Sequence, residues 1–315
     1  MAAFERVVVI TKKTALEELI ERFNTREQSR FYLEHMGISF EEYQNAHETY
    51  FRSVDHLRES LPKQCKRQFI EKSFLATYQF FEKDLVVTIG QDGLVINTAK
   101  YLNGQPIVAI NPDAKRIDGV LATFNLAEAS QKIHQALTTQ TLQIKKISMA
   151  QARLNDGQTL YAVNDLFIGP QSHTSARYEV RLAGKSEIQS SSGIIVSTGA
   201  GSTGWLQSIV TGSVSITGGL VGKNLSAPDP KAYKLDWESN ELYFSVREPF
   251  ISKTSKAEIV FGKIHLGQHL QIISQMPERG VIFSDGIERD FLDFNSGAIA
   301  SIGLSDRKAC LVMNQ

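Results

Sequence analysis

Leu85-Val86-Val87-Thr88-Ile89-Gly90-Gln91-Asp92-Gly93-Leu94 runs a β-branched apolar segment into a glycine, sets one acid between flexible residues, and passes at once into an apolar-periodic segment, Val95 to Leu102. That order reads as strand, tight turn and helix. In an open α/β sheet, the carboxyl end of a strand facing a helix N-terminus binds ligands, because unpaired N–H groups and the helix dipole attract phosphate there. Asp92 is expected to point into that crevice. A plain structural turn is the alternative, since Asp-Gly is a common turn pair.

Working outward, Val7 to Thr11 reads as a buried first strand, and Thr14 as the cap of a helix from Ala15 to about Phe23. Ser39 with Glu42 has the spacing of a capping box, opening a long amphipathic segment from Phe40 to Leu61 that Pro62 closes. The basic residues Lys63, Lys66 and Arg67 read as a solvated face. Pro106 to Asn111 is a further strand, and Leu126 to Leu137 a further helix. Strand and helix in alternation specify an α/β N-terminal domain, residues 1–140, with a doubly wound, mostly parallel sheet. Beyond Thr141 short alternating runs take over: Ala176 to Leu182, Glu241 to Val246, Ala257 to Phe261, Leu270 to Ile273, Val281 to Phe283, Ala298 to Ile302 and Ala309 to Met313. Period-two alternation puts the apolar residues on one strand face, so residues 141–315 are expected to form an antiparallel β-sandwich. Its last strand can return to the first domain. Thr211 to Lys234, rich in Gly, Ser and Pro, reads as a long loop.

A chain of 315 residues can bury a large core, most simply as two domains. Its 34 basic and 34 acidic residues cancel, which removes any bulk attraction to nucleic acid or an anionic membrane. Cys65 and Cys310 form neither a disulfide framework nor a zinc-type cluster, and a reducing, cytoplasmic setting fits them. No signal peptide or membrane-spanning stretch is expected. The seven histidines do not cluster, and none is assigned a catalytic role.

Three later stretches could also carry chemistry. Asn164-Asp165 interrupts an apolar strand; a side-chain amide beside a carboxylate can read a nucleobase edge and a ribose hydroxyl, and a bulge or turn is the alternative. Ser190 to Trp205 is rich in small residues that let a ligand approach the backbone, but no Lys follows its glycines, so it is not a Walker A loop. Trp205 could stack on a ring or fill core. Ser284-Asp285-Gly286 reads as a hairpin turn.

In this order the four stretches resemble the NAD kinase family. Its members carry a Gly-Gly-Asp-Gly-Thr loop, an Asn-Glu pair, a Gly-rich segment ending in Gly-Ser-Thr-Ala-Tyr, and a Ser-Asp-Gly or similar turn. The counterparts are Gly90 to Leu94, Asn164-Asp165, Gly199 to Trp205 and Ser284 to Gly286. Gln91 and Leu94 replace the loop's second Gly and its Thr, and Asp165 replaces Glu. Asn111-Pro112-Asp113, Ser191-Ser192-Gly193, Trp205, Phe244-Ser245-Val246-Arg247-Glu248-Pro249 and Asn295 to Ser301 are similar to the mitochondrial-type branch and its bacterial relatives.

The resemblance implies transfer of the terminal phosphate of ATP to the 2′-hydroxyl of the NAD adenosine ribose, giving NADP, with Mg2+ bound to the ATP. It implies Asp92 as the base that takes the hydroxyl proton, or as the group that orients the hydroxyl. Gly90, Gln91, Gly93 and Leu94 are implied as phosphate ligands, and Asn164, Asp165, Ser192, Thr203, Gly204, Trp205 and Ser208 as NAD ligands. The assembly implied is a homodimer or homotetramer. Gln91 and Leu94 leave open a catalytically weakened NAD(P)-binding regulatory homologue, and because related families share the Gly-rich Asp loop, a same-fold kinase acting on a sugar or lipid hydroxyl is the other alternative. No nucleic-acid or membrane partner is expected.

Overall fold

The computed structural model describes residues 4–138 and 142–314, apart from the side chain of Arg289. The expected domain boundary at Gln140 lies outside the described residues. The chain divides into two compact units, residues 1–145 with 310–315, and residues 146–309.

The first unit contains β1 (Arg6–Thr11), α1 (Ala15–Phe23), α2 (Arg26–His35), α3 (Phe40–Ser60), β2 (Lys66–Glu71), β3 (Asp84–Ile89), α4 (Asp92–Ala99), β4 (Pro106–Ile110) and α5 (Leu126–Thr138). Its strands are parallel in the order β2-β1-β3-β4, and Cys310 and Leu311 add a further parallel strand beside Pro106 and Ile107. Every residue of β3 and β4 is buried, as expected of a parallel sheet covered on both faces. Tyr50, Val54 and Leu57 of α3 and Ala129, Ile133 and Ala136 of α5 pack against Val7, Val9, Val87 and Val108.

Thr14 forms the expected capping box with Glu17. Ser39, in contrast, makes no side-chain capping bond, although α3 does begin at Phe40. The helix α2 and the strand β2 have no counterpart in the sequence reading, for physical reasons. Only Ser29 and Leu33 of α2 are buried, so it carries almost no apolar period, and β2 is an edge strand whose first three residues are exposed. Helix α4 begins at Asp92, three residues before the apolar run that marks it in the sequence.

The second unit contains most of β5 (Ile144–Leu154), all of β6 (Thr159–Ala162), β7 (Asp165–Pro170), β8 (Ala176–Leu182), β9 (Lys185–Ser191), β10 (Ile194–Ser197), α6 (Trp205–Val221), β11 (Glu241–Val246), β12 (Phe261–His265), β13 (Leu270–Ser274), β14 (Gly280–Ser284) and β15 (Ile287–Asp293), and most of β16 (Ile299–Val312). One sheet runs β9-β8-β13-β16 and is extended by β5 and β6; the other runs β12-β11-β10-β7-β14-β15. Tyr178, Val180, Ile272 and Ile302 from the first sheet share one core with Ile168, Val196, Phe244 and Ile282 from the second. The unit is therefore a β-sandwich, antiparallel in its β7–β15 sheet and in the pairs β8–β9, β8–β13 and β13–β16.

Three expectations are corrected here. The two runs at 298–302 and 309–313 are one strand, β16. Residues 257–260 are not strand, and β12 starts at Phe261, because the buried carboxylate of Glu187 takes the N–H groups of Glu258 and Ile259 that a ladder would need. The expected loop at 211–234 is helical as far as Val221. Thr211, Ser215 and Thr217 donate their hydroxyls to carbonyls four residues back, at 2.9, 2.9 and 2.8 Å, so their polar groups are satisfied inside the helix. Leu206 and Val210 anchor its first half against Tyr233, Leu235 and Tyr243.

Candidate active site

In the first unit β3 ends at Ile89 and the chain turns through Gly90 and Gln91 into α4. The Gly90 N–H donates to the Ile110 carbonyl at 2.9 Å. A Cβ at Gly90 would stand 3.1 Å from Cδ2 of Leu94 and 3.7 Å from Cδ of Lys12, so the missing side chain lets those two close over the turn. Gln91 is the N-cap residue and makes no side-chain capping bond. A Cβ at Gly93 would meet no described atom within 4 Å, and this side of the first helical turn is open.

Asp92 accepts three consecutive backbone amides, from Val120 on Oδ2 at 2.9 Å and from Leu121 and Ala122 on Oδ1 at 3.0 and 2.9 Å. A carboxylate offers about four acceptor positions, so roughly one is left for a substrate hydroxyl. Asn111 holds the same loop from its other end. Its Nδ2 donates to the Ile117 carbonyl at 2.8 Å, and its Oδ1 accepts the Asp113 N–H at 3.0 Å.

Beside the turn lies a cavity of about 350 Å³ lined by Lys12, Thr14, Glu42, Tyr50, Gln91, Asp113 and Arg116 among others. The Lys12 N–H donates to the Tyr50 hydroxyl at 2.8 Å. Burial raises the Tyr50 phenol to about 12, so it stays protonated. Burial also holds the Lys12 ammonium below the ordinary lysine range.

In the second unit Val163 and Asn164 connect β6 to β7, which Asp165 opens. Their backbone is clamped by Asp285, in the hairpin between β14 and β15, whose carboxylate accepts the N–H groups of Val163, Asn164 and Asp165 at 3.0, 2.7 and 3.1 Å. Asp285 and Gly286 have φ of 55° and 70°, as a tight two-residue hairpin requires. With the backbone satisfied, the Asn164 side chain and the Asp165 carboxylate are spared from holding the turn. Asp165 accepts a hydrogen bond from the Ser197 hydroxyl. Desolvation, with Asp285 nearby and against the Ser197 bond, pushes its carboxyl up to about 7.

The small residues of the Gly-rich segment answer to close packing of the chain on itself. A Cβ at Gly199 would fall 1.9 Å from the Asp236 carbonyl oxygen, and one at Gly201 would fall 2.3 Å from that of Asn164. Thr198 donates its hydroxyl to the Val163 carbonyl. Gly204 then opens α6 without a side-chain cap. Trp205 stacks on Phe167 with centroids 6.0 Å apart, and the Arg247 guanidinium lies 5.7 Å from its ring. These residues and Phe283 line a cavity of about 230 Å³.

No protein-family model matches the chain. Among known proteins it is 24% identical to human mitochondrial NAD kinase 2, over 94% of this chain and 81% of that protein. It is 26% identical to a probable NADH kinase of rice, over 64% of this chain and 63% of that protein, so it spans less than two thirds of the rice relative. An NAD kinase of Methylococcus capsulatus is 32% identical over 39% of this chain and 44% of that protein. Among solved structures, yeast NADH kinase complexed with NADH has a TM-score of 0.56 at 15% identity, covering 98% of this chain and 84% of that one. An Archaeoglobus fulgidus NAD kinase in complex with ATP has a TM-score of 0.55 at 15% identity, covering 98% and 94%. The chain is thus similar to NAD and NADH kinases in sequence and shares the fold of the solved ones.

Within that family's pattern, the first unit brings together Gly90, Gln91, Asp92, Gly93 and Leu94, but not all of them face open space. Leu94 is buried, and its N–H is donated to the Gln91 carbonyl at 2.8 Å. It therefore packs the turn, and turns no group toward a phosphate. In the second unit Asn164, Asp165, Ser197, Gly201 and Asp285 are one cluster. Trp205, Arg247 and Ser192 are a second, since the Ser192 N–H donates to the Arg247 carbonyl at 2.9 Å. Thr203, Gly204 and Ser208 are exposed at the start of α6, where the Ser208 hydroxyl donates to the Gly204 carbonyl at 3.3 Å. The sequence reading missed Lys12, Tyr50 and Arg116. A lysine pair directly after the first parallel strand is the signal that could have found Lys12, because that strand end belongs to the ligand-binding edge of such a sheet.

Proposed function

We propose that the protein is an ATP-dependent NAD kinase that phosphorylates the 2′-hydroxyl of the adenosine ribose. The carrying observation is the Asn164–Asp165 turn. Asp285 satisfies its amides, so a side-chain amide and a carboxylate stand ready for an adenine edge and ribose hydroxyls. In the reaction the 2′-oxygen attacks the terminal phosphorus, the bond from that phosphorus to the bridging oxygen breaks, ADP leaves, and the hydroxyl proton is released. Asp92 orients the hydroxyl through its remaining acceptor position and receives the proton on the way to solvent. Phosphoryl transfer asks mainly for positioning and charge stabilisation, which fixed backbone turns supply.

Bound with ATP, Mg2+ would supply charge neutralisation at the phosphates. It is commonly held by one or two carboxylates together with substrate phosphates; Glu42 and Asp113 line the same cavity as Gln91 and fit that need. Among the described residues there is no cluster of three or more His, Cys, Asp or Glu that could hold a metal without phosphate. Homo-oligomeric assembly accords with the exposed Ile216, Leu220 and Val221 of α6, and no helix among the described residues is long and apolar enough to cross a membrane.

The test is NADP formation from NAD with ATP and magnesium, and with polyphosphate as the second donor. No NADP above a no-enzyme control would defeat the proposal. The amide clamp on Asp92 and the burial of Leu94 favour one second reading, a homologue that binds NAD or NADP without turnover. Calorimetric NAD binding with no phosphoryl transfer would select it.

A further inference from the structure

Lys12 leaves β1 at its carboxyl end, and its stem runs beside Gly90 toward the start of α4. Half-buried, its ammonium makes no hydrogen bond or ion pair with a described residue. Burying a lone ammonium is costly unless something repays it. Its neighbour Lys13 is bound to Glu21, and Arg116, on the same cavity wall, is paired with Asp113 at 2.6 Å. The cavity is therefore walled by a cation that Glu18 reaches only through space, an uncapped helix start at Gln91 and a capped one at Thr14, with the Glu42 carboxylate also on its lining. At about 350 Å³ it falls at the small end of ligand pockets, enough for a chain of phosphates with part of a nucleoside.

We infer that this cavity binds the oligophosphate tail of the phosphoryl donor, and that Lys12 is the cation that holds it. The inference rests on the kinase reading for its choice of ligand, but it can be tested without any turnover. The ammonium, which Glu18 reaches without a contact, gains a directly bound counter-charge when the phosphates enter. Lys12 thus distinguishes the donor from the dinucleotide, whose adenosine is assigned to Asn164 and Asp165.

The probe is inorganic tripolyphosphate, which carries the charge and no nucleoside. Calorimetry on Lys12→Met is expected to show about a tenfold or greater loss of affinity, the size of a charge-assisted contact removed. Lys13→Met, which deletes the same charge one residue away, is expected to bind as the unmodified protein does, and Lys12→Arg to recover most of the affinity. NAD affinity should stay within about twofold throughout. On the unmodified protein, tripolyphosphate should slow acetylation of Lys12 and leave Lys13 unprotected, a measurement that needs no variant to fold. Equal losses in Lys12→Met and Lys13→Met, unchanged affinity in Lys12→Met, or no protection of Lys12 would each overturn the assignment. If NADP formation fails while Lys12-dependent binding persists, the NAD kinase reading falls, and Lys12 stands as the cation that holds an oligophosphate.

Discussion

Asp92 and Asp285 do the same work, one in each unit, each holding three consecutive amides of a neighbouring loop. An acid used this way is at once structural and, where a lone pair remains, chemical. Asp92→Asn turns an NH2 group toward one of the donors, so it should abolish most turnover and also lower the melting temperature, by about 1–3 kcal/mol of stability, while NAD binding persists. Steady-state kinetics with thermal melts checks both; retained turnover would remove Asp92 from the chemistry. Asp165 supports a pH prediction. With its carboxyl at about 7 and an ordinary value near 4 in the unfolded chain, the folded state holds an extra proton between those values. Its contribution to stability is therefore full below about pH 4, declines up to about 7 and is flat above. If ribose hydroxyls donate to the carboxylate, NAD affinity rises with pH through 7 and levels off, and Asp165→Asn flattens both profiles. A pH-independent affinity in the unmodified protein would argue against that contact. Asp92 and Asp165 stand out in the sequence because acids interrupt apolar runs there. That Leu94 points inward and Lys12 points at the cavity is set by packing across β1, β3 and α4, which no local pattern encodes.

At the scale of elements, legibility followed burial. The fully buried β3 and β4 read directly as apolar runs, whereas α2 and β2, each with little buried surface, carried no period to read. Helix α6 was obscured for a different reason: Ser, Thr and Gly signal loops on average, and here the hydroxyls bond back to their own helix. Capping shows the same gap between pattern and geometry, since Thr14 and Ser39 have equivalent sequence spacing and only Thr14 caps. Thr14→Ala should cost about 1 kcal/mol, and more to the extent that its hydroxyl also meets Nδ1 of His47 at 2.8 Å. Ser39→Ala should stay within about 0.5 kcal/mol. Urea denaturation of the two variants separates them, and equal losses would mean that Ser39 caps in solution.

For the molecule as a whole, the sandwich was readable from its alternating runs, but the way the chain closes was not, because two short runs in the sequence are one strand in the structure. Only the last residues of β16 reach β4, through Cys310 and Leu311. Removing residues 310–315 should leave the Pro106–Ile107 end of β4 as an apolar edge, and bare edges of that kind template association. Size-exclusion chromatography of the shortened chain is expected to show aggregation or loss of the monodisperse species, and an unchanged profile would show that the pairing is dispensable. The same pairing bears on biosynthesis. The ribosome must make the whole sandwich before the strand that seals the first sheet emerges, a wait of about 10–40 s at some 5–20 residues per second. During that time every nascent chain presents Pro106 and Ile107 without their partner, while Phe124 already covers the Ala109–Ile110 end. Yield in a cell then depends on how fast translation runs past residue 310 and on what shelters that edge meanwhile.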